Sequence, residues 1–176
     1  GGNLARGGVV ILRDVGRSHQ MQEQLRKQRW FLESIVEHVP AMIFVKDAKD
    51  LRFELFNRAG EDLLGHAREE LIGKNDYDFF PGSQADSFTQ RDRDTLTGGK
   101  IVDIPEEPIQ TVHGARWLHT KKVPIANEAG KPEYLLGISE DVTERKLAVE
   151  ALHRAHELLE QRVRERTSEL EAANAE

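Results

Sequence analysis

Glycine and proline divide the chain into two long stretches that lack both residues and a middle part that contains many of them. Residues 17–39 contain neither, and neither occurs again after Gly137, so each stretch is expected to form a long helix. All six prolines lie between these stretches. Hydrophobic positions there alternate over short runs, which is typical of strands in a compact domain.

Residues 39–143 are expected to form that compact domain. Apolar runs bounded by turn residues predict strands at 42–47, 51–56, 100–104, 115–125 and 132–139, and helices at 58–64, 68–72 and 83–96. Asn57 can cap the first helix, Gly65 can end it, and Asp76 can cap the turn after the second. Because short turns join neighbouring strands, the predicted fold class is α+β, with a five-stranded antiparallel sheet and small helices on one face.

Residues 1–16 are predicted to contain a strand, in contrast to the helix that follows them. Four consecutive apolar residues after a double glycine predict a buried strand, the tail of a preceding unit. Asp14-Val15 recurs 127 residues later as Asp141-Val142, and the apolar positions beyond each pair agree. The repeat favours a tandem array of domains joined by linker helices such as residues 17–38, and chance agreement between two helices is the alternative.

The C-terminal stretch, residues 144–176, carries apolar residues at the alternating spacing of four and three that a coiled coil requires. This seam, which follows Arg145, comprises Val149, Leu152, His156, Leu159, Val163, Arg166 and Leu170. His156 and Arg166 are polar breaks, which lower the stability of a helix pair and can fix its register. The spacing predicts a homodimer, and the alternative is that the helix packs back on its own sheet.

Composition narrows the function classes. The 176 residues carry 25 basic and 31 acidic side chains, and the net charge of −6 argues against a nucleic-acid partner. No apolar run approaches the ~18 residues of a membrane-spanning helix, so no membrane span is expected. The chain has no cysteine, which excludes disulfides, thiolate metal ligands and cofactors attached through sulfur, and fits a cytoplasmic location.

A set of short motifs occurs in order along the middle of the chain. The motifs are Lys46-Asp47, Phe56-Asn57-Arg58-Ala59, Leu63-Leu64-Gly65, Leu71 to Phe80, Gly98-Gly99-Lys100, Trp117, Lys122-Val123-Pro124, Gly130-Lys131-Pro132 and Leu136 to Arg145. Together with the order of the predicted elements, this set resembles a PAS domain, or sensory box, over about residues 30–145. The last motif is similar to the family's Asp-Ile-Thr hinge, with Val142 in place of isoleucine.

Residues 158–170 resemble the signalling helix that joins a PAS domain to the output of bacterial sensor histidine kinases. A similar helix precedes some diguanylate cyclases. The resemblance implies a module for signal transduction in a two-component system, in which neighbouring domains outside this chain are its partners. The competing hypothesis is a passive scaffold that only dimerises or spaces those domains.

The resemblance also implies a hinge between the last strand and the C-terminal helix. Its candidate residues are Asp141, Val142, Thr143 and Arg145. Asp141 and Thr143 can bond backbone amides at the helix start, and Arg145 can pair with Asp141 at the spacing of four residues. The alternative is that these residues are only a helix cap.

A small-molecule pocket between the sheet and the helices is a further implication of the resemblance. Its candidate lining residues are Ile43, Val45, Leu55, Leu63, Ile72, Phe79, Phe80, Phe88, Leu118, Leu136 and Ile138. The alternative is that these residues only form the hydrophobic core. The ligand stays unknown. Flavin and chromophore variants that need a cysteine are disfavoured, and so is haem, because the predicted helix 83–96 has no histidine. His119 and Lys122 lie on opposite faces of one strand, so at most one of them can face the pocket.

Catalysis has no support in the sequence pattern of this chain. It offers no nucleophile with a base, no glycine-rich phosphate loop and no metal triad. The seven histidines are not spaced as metal ligands. The chain is therefore expected to be a non-enzymatic part of a signalling protein whose kinase domains lie outside it.

Overall fold

The computed structural model describes the backbone of residues 5–174 and the side chains of residues 17–171. Two long helices flank a compact domain in which a block of helices separates two blocks of strands. In chain order the elements are α1 (Ala5–His38), β1 (Met42–Asp47), β2 (Phe53–Phe56), α2 (Arg58–Leu64), α3 (Arg68–Leu71), a 3-10 turn (Asp76–Asp78), α4 (Gly82–Gly98), β3 (Val102–Thr111), β4 (Gly114–Ala126), β5 (Pro132–Asp141) and α5 (Thr143–Asn174).

The five strands form one antiparallel sheet in the order β2-β1-β5-β4-β3. The first and last strands of the domain are therefore neighbours, with Ile43 opposite Ile138 and Val45 opposite Leu136. The helices between the two strand blocks pack on one face, where α2 contacts β1 and α4 contacts β4 and β5. This arrangement confirms the predicted fold class.

The hydrophobic core lies between these helices and the inner face of the sheet. Alternate residues of β1 and the two ends of β2 point inward, and their phenylalanine rings form a cluster. The ring centroids of Phe44 and Phe53 are 5.9 Å apart, and those of Phe53 and Phe56 are 5.0 Å apart. Opposite Phe44, β5 carries Gly137, where any Cβ atom would overlap the Phe44 ring.

Capping of α2 agrees with the sequence prediction. The Asn57 side chain accepts a hydrogen bond from Gly60 N, and Gly65 ends the helix in the left-handed conformation with φ 76°. The 3-10 turn differs from the prediction, because Asn75 caps it instead of Asp76. The Asp76 side chain is buried and reaches a lysine in the core.

The strand predicted within residues 1–16 is wrong for the part that the structure describes. α1 begins at Ala5 and continues without a break to His38, so this segment and the linker helix are one helix. A short apolar run fits a buried strand and a helix equally well, but a strand needs a partner for its backbone groups. No strand of the sheet pairs with α1, whereas a helix satisfies its own hydrogen bonds. Residues 1–4 lie outside the described residues, and an origin in a preceding unit stays a prediction.

β3 is longer than predicted and contains Pro105 and Pro108. It lies at the edge of the sheet, where a residue without an N–H group is tolerated. The register of its pairing with β4 shifts between Ile104 and Glu107, which marks a bulge. The bulge changes which residues of β3 point inward, so the carboxylate of Glu107 is buried and faces the core.

α5 extends beyond the domain that it follows. Its 32 residues give a length of about 48 Å at about 1.5 Å per residue. Its contacts with the domain are mainly with β4, and those of α1 are mainly with α2. Among the residues described by the structure, no helix is both long enough and apolar enough to cross a membrane.

Candidate functional site

A small cavity, here called the inner cavity, lies between the inner face of the sheet and the helices. Its volume is about 30 Å³, which is room for about two water molecules. Its apolar walls are Phe44, Phe53, Phe56, Phe80 and Phe88 with Met42, Leu64, Ile109 and Leu118. Its polar lining comprises Lys46, Asp76, Glu107, Lys122 and Ser139. A mostly apolar lining with a few polar groups is typical of ligand sites in proteins.

Three of the predicted pocket residues line the inner cavity: Phe80, Phe88 and Leu118. Leu63 and Phe79 pack against the core without lining it, and Ile72 is 39 % exposed. The remaining five lie on the outer face of the sheet: Ile43, Val45, Leu55, Leu136 and Ile138. For these five residues the prediction chose the wrong face. Both faces carry apolar residues, so alternation alone does not say which face the helices cover.

Four charged side chains form a buried cluster, here called the charge cluster, beside the inner cavity. Lys46 Nζ donates to Asp76 Oδ2 at 2.6 Å and to Asp92 Oδ2 at 2.7 Å. Lys122 Nζ donates to Asp92 Oδ1. All four side chains are at most 4 % exposed. The charge cluster connects β1, the 3-10 turn, α4 and β4, so it holds the helices to both halves of the sheet.

The electrostatics of the charge cluster follow from burial and pairing. Burial acts to lower the pKa of Lys46, but Asp92 and Asp76 outweigh it and raise this pKa above its ordinary value. Burial raises the pKa of Asp76, and the neighbouring Lys46 opposes that shift without cancelling it. Lys46 Nζ also lies 4.8 Å from the centre of the Phe53 ring, a favourable cation–π distance. Two lysines face two aspartates, so the cluster can be neutral as a whole.

Sequence reasoning does not find the charge cluster, because charged residues are normally at the surface. The alternation of β1 nevertheless indicates that Lys46 is buried, because Lys46 lies two residues after the inward-facing Phe44 and so points to the same face. On β4 the structure answers which of two residues points inward. Lys122 lies in the core, whereas His119 faces outward and its Nε2 lies 2.6 Å from Asp103 Oδ1.

The predicted hinge joins β5 to α5 through hydrogen bonds to β4. Val142 is buried, and its N–H donates to Trp117 O at 2.8 Å. The Thr143 hydroxyl accepts a hydrogen bond from Trp117 N at 2.8 Å. Thr143 N in turn donates to Asp141 Oδ1 at 2.9 Å. Both backbone groups of Trp117 are thus bound to the hinge, so the start of α5 is fixed relative to the sheet.

Arg145 does not take part in these bonds. The predicted ion pair between Asp141 and Arg145 is not among those that the described residues form, and Asp141 instead lies 3.6 Å from Arg116 Nε. The spacing of four residues brings side chains together only when both belong to the helix, and α5 begins after Asp141.

Lys146 braces the first turn of α5 against the sheet. Its Nζ lies 4.3 Å from the centre of the Trp117 ring and pairs with the carboxylate of Glu106 on β3. This hydrogen bond raises the pKa of Lys146. Sequence reasoning does not find this contact, because β3 and α5 are far apart in the chain.

A single buried side chain, that of Asn57, joins the N-terminal helix to the domain. Its Nδ2 donates to Val36 O at 3.0 Å, in the last turn of α1, and to Ala41 O at 2.9 Å. Its Oδ1 accepts from Ile43 N at 2.9 Å and from Gly60 N at 3.1 Å. Asn57 therefore ties the end of α1, the start of β1 and the start of α2 together.

Arg68 adds an ionic contact to this N-terminal junction. Its Nη2 lies 2.8 Å from Glu37 Oε2 on α1 and 3.0 Å from Glu61 Oε2 on α2. The Arg68 side chain is 36 % exposed, so solvent weakens these pairs and their contribution to stability is small. They connect α3 to the end of α1 and to α2.

The predicted coiled-coil seam lies on the surface of α5. Its five apolar members are all at least 57 % exposed: Val149, Leu152, Leu159, Val163 and Leu170. Its polar members, His156 and Arg166, are 68 % and 80 % exposed. The helix therefore does not pack this face on its own sheet.

The sheet, the inner cavity and the direct run of the last strand into a long helix define a domain of the PAS type. A family model for the PAS fold matches residues 36–147. The chain belongs to this family.

Curated relatives include signalling proteins. The chain is 37 % identical over 123 residues to the uncharacterized protein y4lL of Sinorhizobium fredii, covering 68 % of this chain and 15 % of that protein. It is 29 % identical over 136 residues to the aerobic respiration control sensor protein ArcB of Escherichia coli, covering 73 % and 16 %. It is 31 % identical over 123 residues to the methanogenesis regulatory histidine kinase FilI of Methanothrix harundinacea, covering 69 % and 14 %. The chain thus spans 14–16 % of the length of these relatives.

A solved structure has the same fold. The PAS domain of an HTR-like protein from Haloarcula marismortui superposes with a TM-score of 0.56 at 21 % identity. The match covers 70 % of this chain and 98 % of that domain. At this identity the likeness concerns the fold alone.

Proposed function

We propose that this chain is the cytoplasmic sensory and relay module of a sensor histidine kinase and acts as a homodimer. A change in the PAS domain, caused by a small ligand or a partner, passes through Asp141, Val142 and Thr143 to α5. α5 pairs with α5 of a second copy and carries the change to output domains outside this chain. The relation to a sensor protein and to a histidine kinase supports this assignment.

The observation that carries the proposal is the double bonding of Trp117 to the hinge. Trp117 O accepts from Val142 N, and Trp117 N donates to the Thr143 hydroxyl. The next residue of β4, Leu118, lines the inner cavity, and so does Lys122. A shift of β4 caused by an event in the cavity therefore moves the start of α5. Signal transfer requires an element that can adopt two arrangements, and we assign that role to this junction of strand and helix.

The homodimer is supported by the exposed seam of α5. Leu152 is 72 % exposed and Leu159 is 62 % exposed, which is unusual for large apolar side chains at regular helical spacing. A second α5 offers the same seam and covers both in a symmetric pair. The helix is long enough for such a pair, at about four heptads.

The relay is tested by measuring distances between the two α5 helices of a dimer. Because the chain has no cysteine, a single Glu165→Cys substitution places one spin label on the exposed side of each α5. Double electron–electron resonance then reports the distance distribution between the labels. Thr143→Val keeps the shape of the side chain and removes the acceptor of Trp117 N. We expect this variant to shift or broaden the distance distribution.

Thr167→Val is the matched control for the relay. The Thr167 hydroxyl donates to Val163 O within α5 and does not contact the sheet, so this variant is expected to keep the wild-type distribution. An unchanged distribution in Thr143→Val would contradict the relay and favour the passive scaffold. A monomer at all concentrations would contradict the homodimer.

A further inference from the structure

We propose that the inner cavity and a neighbouring cavity form one binding site for a small uncharged ligand that carries a hydrogen-bond acceptor. In this site Phe80 is the gate and Lys122 is the polar anchor. The inference deepens the sensory role proposed above and rests on it.

The second cavity, here called the outer cavity, lies directly beside the first. Its volume is about 180 Å³, and it is lined by Leu64, His66, Phe79, Phe80, Gln110, Thr111 and Val112. Phe80 and Leu64 line both cavities, so these two side chains form the wall between them. The inner cavity alone, with about 30 Å³, is too small for a ring compound.

Phe80 is suited to be the moving part of this wall. It is only half-buried and directly precedes Pro81, before α4 begins. Its ring meets the ring of Phe88 edge to face at 5.2 Å, and this is a contact that a planar ligand could replace. Rotation of Phe80 toward solvent would join the two cavities. The combined space could then hold a ligand of one ring.

Lys122 supplies the anchor because its hydrogen-bonding capacity is incompletely used. Its ammonium group has three donors and is 2 % exposed, yet Asp92 Oδ1 is its only hydrogen-bond acceptor among the described residues. Lys122 lines the inner cavity, and its Nζ lies 5.8 Å from the centre of the Phe88 ring. A carbonyl, hydroxyl or ring-nitrogen acceptor on a ligand can take a free donor.

The charge balance of the site selects an uncharged ligand. Lys46 and Lys122 are paired with Asp76 and Asp92, and Glu107 is paired with Arg91 at 2.8 Å. An added anion or cation would stand without a counter-charge in a buried place, which is strongly unfavourable. Apolar ring atoms of the ligand would contact the phenylalanine walls.

Methyl NMR can observe binding directly, because the chain contains two methionines. Met42 lines the inner cavity, whereas Met21 lies on α1 and is 62 % exposed. Carbon-13 labelling of the methionine methyl groups therefore gives one reporter inside the site and one internal control outside it. The probes are benzamide, toluene, benzoate and benzylammonium, which share one ring and differ in charge and acceptor.

We expect benzamide to shift the Met42 signal in a saturable way and to leave the Met21 signal unchanged. The other three probes are expected to bind at least about tenfold more weakly, because they lack an uncharged acceptor for Lys122. In the double variant Lys122→Met with Asp92→Asn, which keeps the charges balanced, benzamide should lose its advantage over toluene.

Phe80→Ala tests the gate. It opens the wall between the cavities, so benzamide should bind at least about fivefold more tightly. Phe79 lines the outer cavity but is not part of the wall that the two cavities share, so Phe79→Ala should give no such gain. No saturable Met42 shift with any probe up to about 10 mM would overturn the proposal. So would equal binding of benzoate or benzylammonium, or an unchanged preference for benzamide in the double variant. These outcomes leave the hinge and the α5 pair untouched, since the distance measurement tests them separately.

Discussion

Among single residues, Gly137 is the position where one added methyl group should have a large effect. A Cβ atom there would overlap the ring of Phe44, which belongs to the core and lines the inner cavity. We expect Gly137→Ala to lower the free energy of unfolding by about 1–3 kcal/mol, because an overpacked core must shift side chains or backbone. Urea unfolding followed by circular dichroism measures this change.

Gly98→Ala is the matched control for this prediction. Gly98 is the last residue of α4, and a Cβ atom there would meet no atom within 4 Å beyond its chain neighbours and the backbone of its own helix turn. Since alanine favours helix more than glycine does, the free energy of unfolding should stay the same or rise by up to about 1 kcal/mol. An equal loss of stability in the two variants would contradict the steric explanation.

Asp47 in the turn between β1 and β2 should give stability a dependence on acidic pH. Its carboxylate accepts hydrogen bonds from the N–H groups of Lys49, Asp50 and Arg52 at 2.7–3.0 Å. Burial acts to raise the pKa of Asp47, but these bonds outweigh it and lower the pKa below its usual value of about 3.9. The stabilisation is therefore fully present above about pH 4 and is lost as the pH falls through the lower pKa of the folded state.

Asp47→Ala is expected to lower the free energy of unfolding at neutral pH by about 1–3 kcal/mol, because three N–H groups lose their acceptor. The variant should also lose less stability than the wild type below about pH 4. Urea unfolding across a series of pH values measures both effects. Asp50→Ala removes an exposed carboxylate of the same turn and should show neither effect. If the free energy of unfolding fell equally with decreasing pH in Asp47→Ala and in the wild type, this role of Asp47 would be contradicted.

At the scale of secondary-structure elements, the sequence predicts well wherever neighbouring residues decide the structure. α2 is an example, since Asn57 and Gly65 set its ends within a few residues of the helix. The start of α1 is predicted wrongly as a strand. Its apolar run suits a strand or a helix, and the sequence does not tell that the sheet offers no partner strand for it. The charge cluster is harder still, since Lys46 and Asp92 are 46 residues apart and meet only after the sheet and α4 have packed.

Asn57 should be the most sensitive polar residue of the N-terminal junction. Asn57→Ala removes the acceptor of Ile43 N and Gly60 N and the donor to Val36 O at the end of α1. Gly60 N keeps its bond to the backbone oxygen of residue 57, but Ile43 N and Val36 O lose the Asn57 side chain as a partner, so we expect the free energy of unfolding to fall by about 2–4 kcal/mol. Hydrogen exchange followed by mass spectrometry should show faster exchange at the end of α1 and the start of β1.

Asn75→Ala provides the comparison for Asn57. Asn75 caps only the 3-10 turn, where it accepts from Tyr77 N. Its loss should cost about 1 kcal/mol and leave exchange at the end of α1 unchanged. If the two variants lost equal stability, Asn57 would be an ordinary helix cap and would not be the joint between α1 and the domain.

At the scale of the whole molecule, the pocket prediction fails because the sheet has two apolar faces. Val45 and Leu136 on the outer face are as hydrophobic as Phe44 on the inner face, and each set alternates regularly along its strand. Periodicity identifies two faces but does not say which one the helices cover. The exposed seam of α5 raises a similar question, because an apolar helix face does not by itself show which surface covers it.

The α5 seam leads to a prediction that concerns the whole assembly. Leu159 belongs to the spacing of four and three, whereas its neighbour Leu158 does not, and the two are 62 % and 53 % exposed. In a symmetric dimer, Leu159→Lys would place two charged groups in the seam and remove two buried leucines. With about 1.5–3 kcal/mol per leucine, the Kd of the dimer should rise at least about a hundredfold. Sedimentation equilibrium over a range of concentrations measures this Kd.

Leu158→Lys is the control, because it changes an equally apolar and similarly exposed residue outside the seam. Its effect on the Kd should stay within about threefold. His156→Leu replaces a polar break by an apolar residue, so it should tighten the dimer by about tenfold or more. Equal weakening by the two lysine variants would show that the helices do not pair along this seam. Tighter association in His156→Leu together with loss of the dimer in Leu159→Lys would instead show that the two α5 helices pair along this seam.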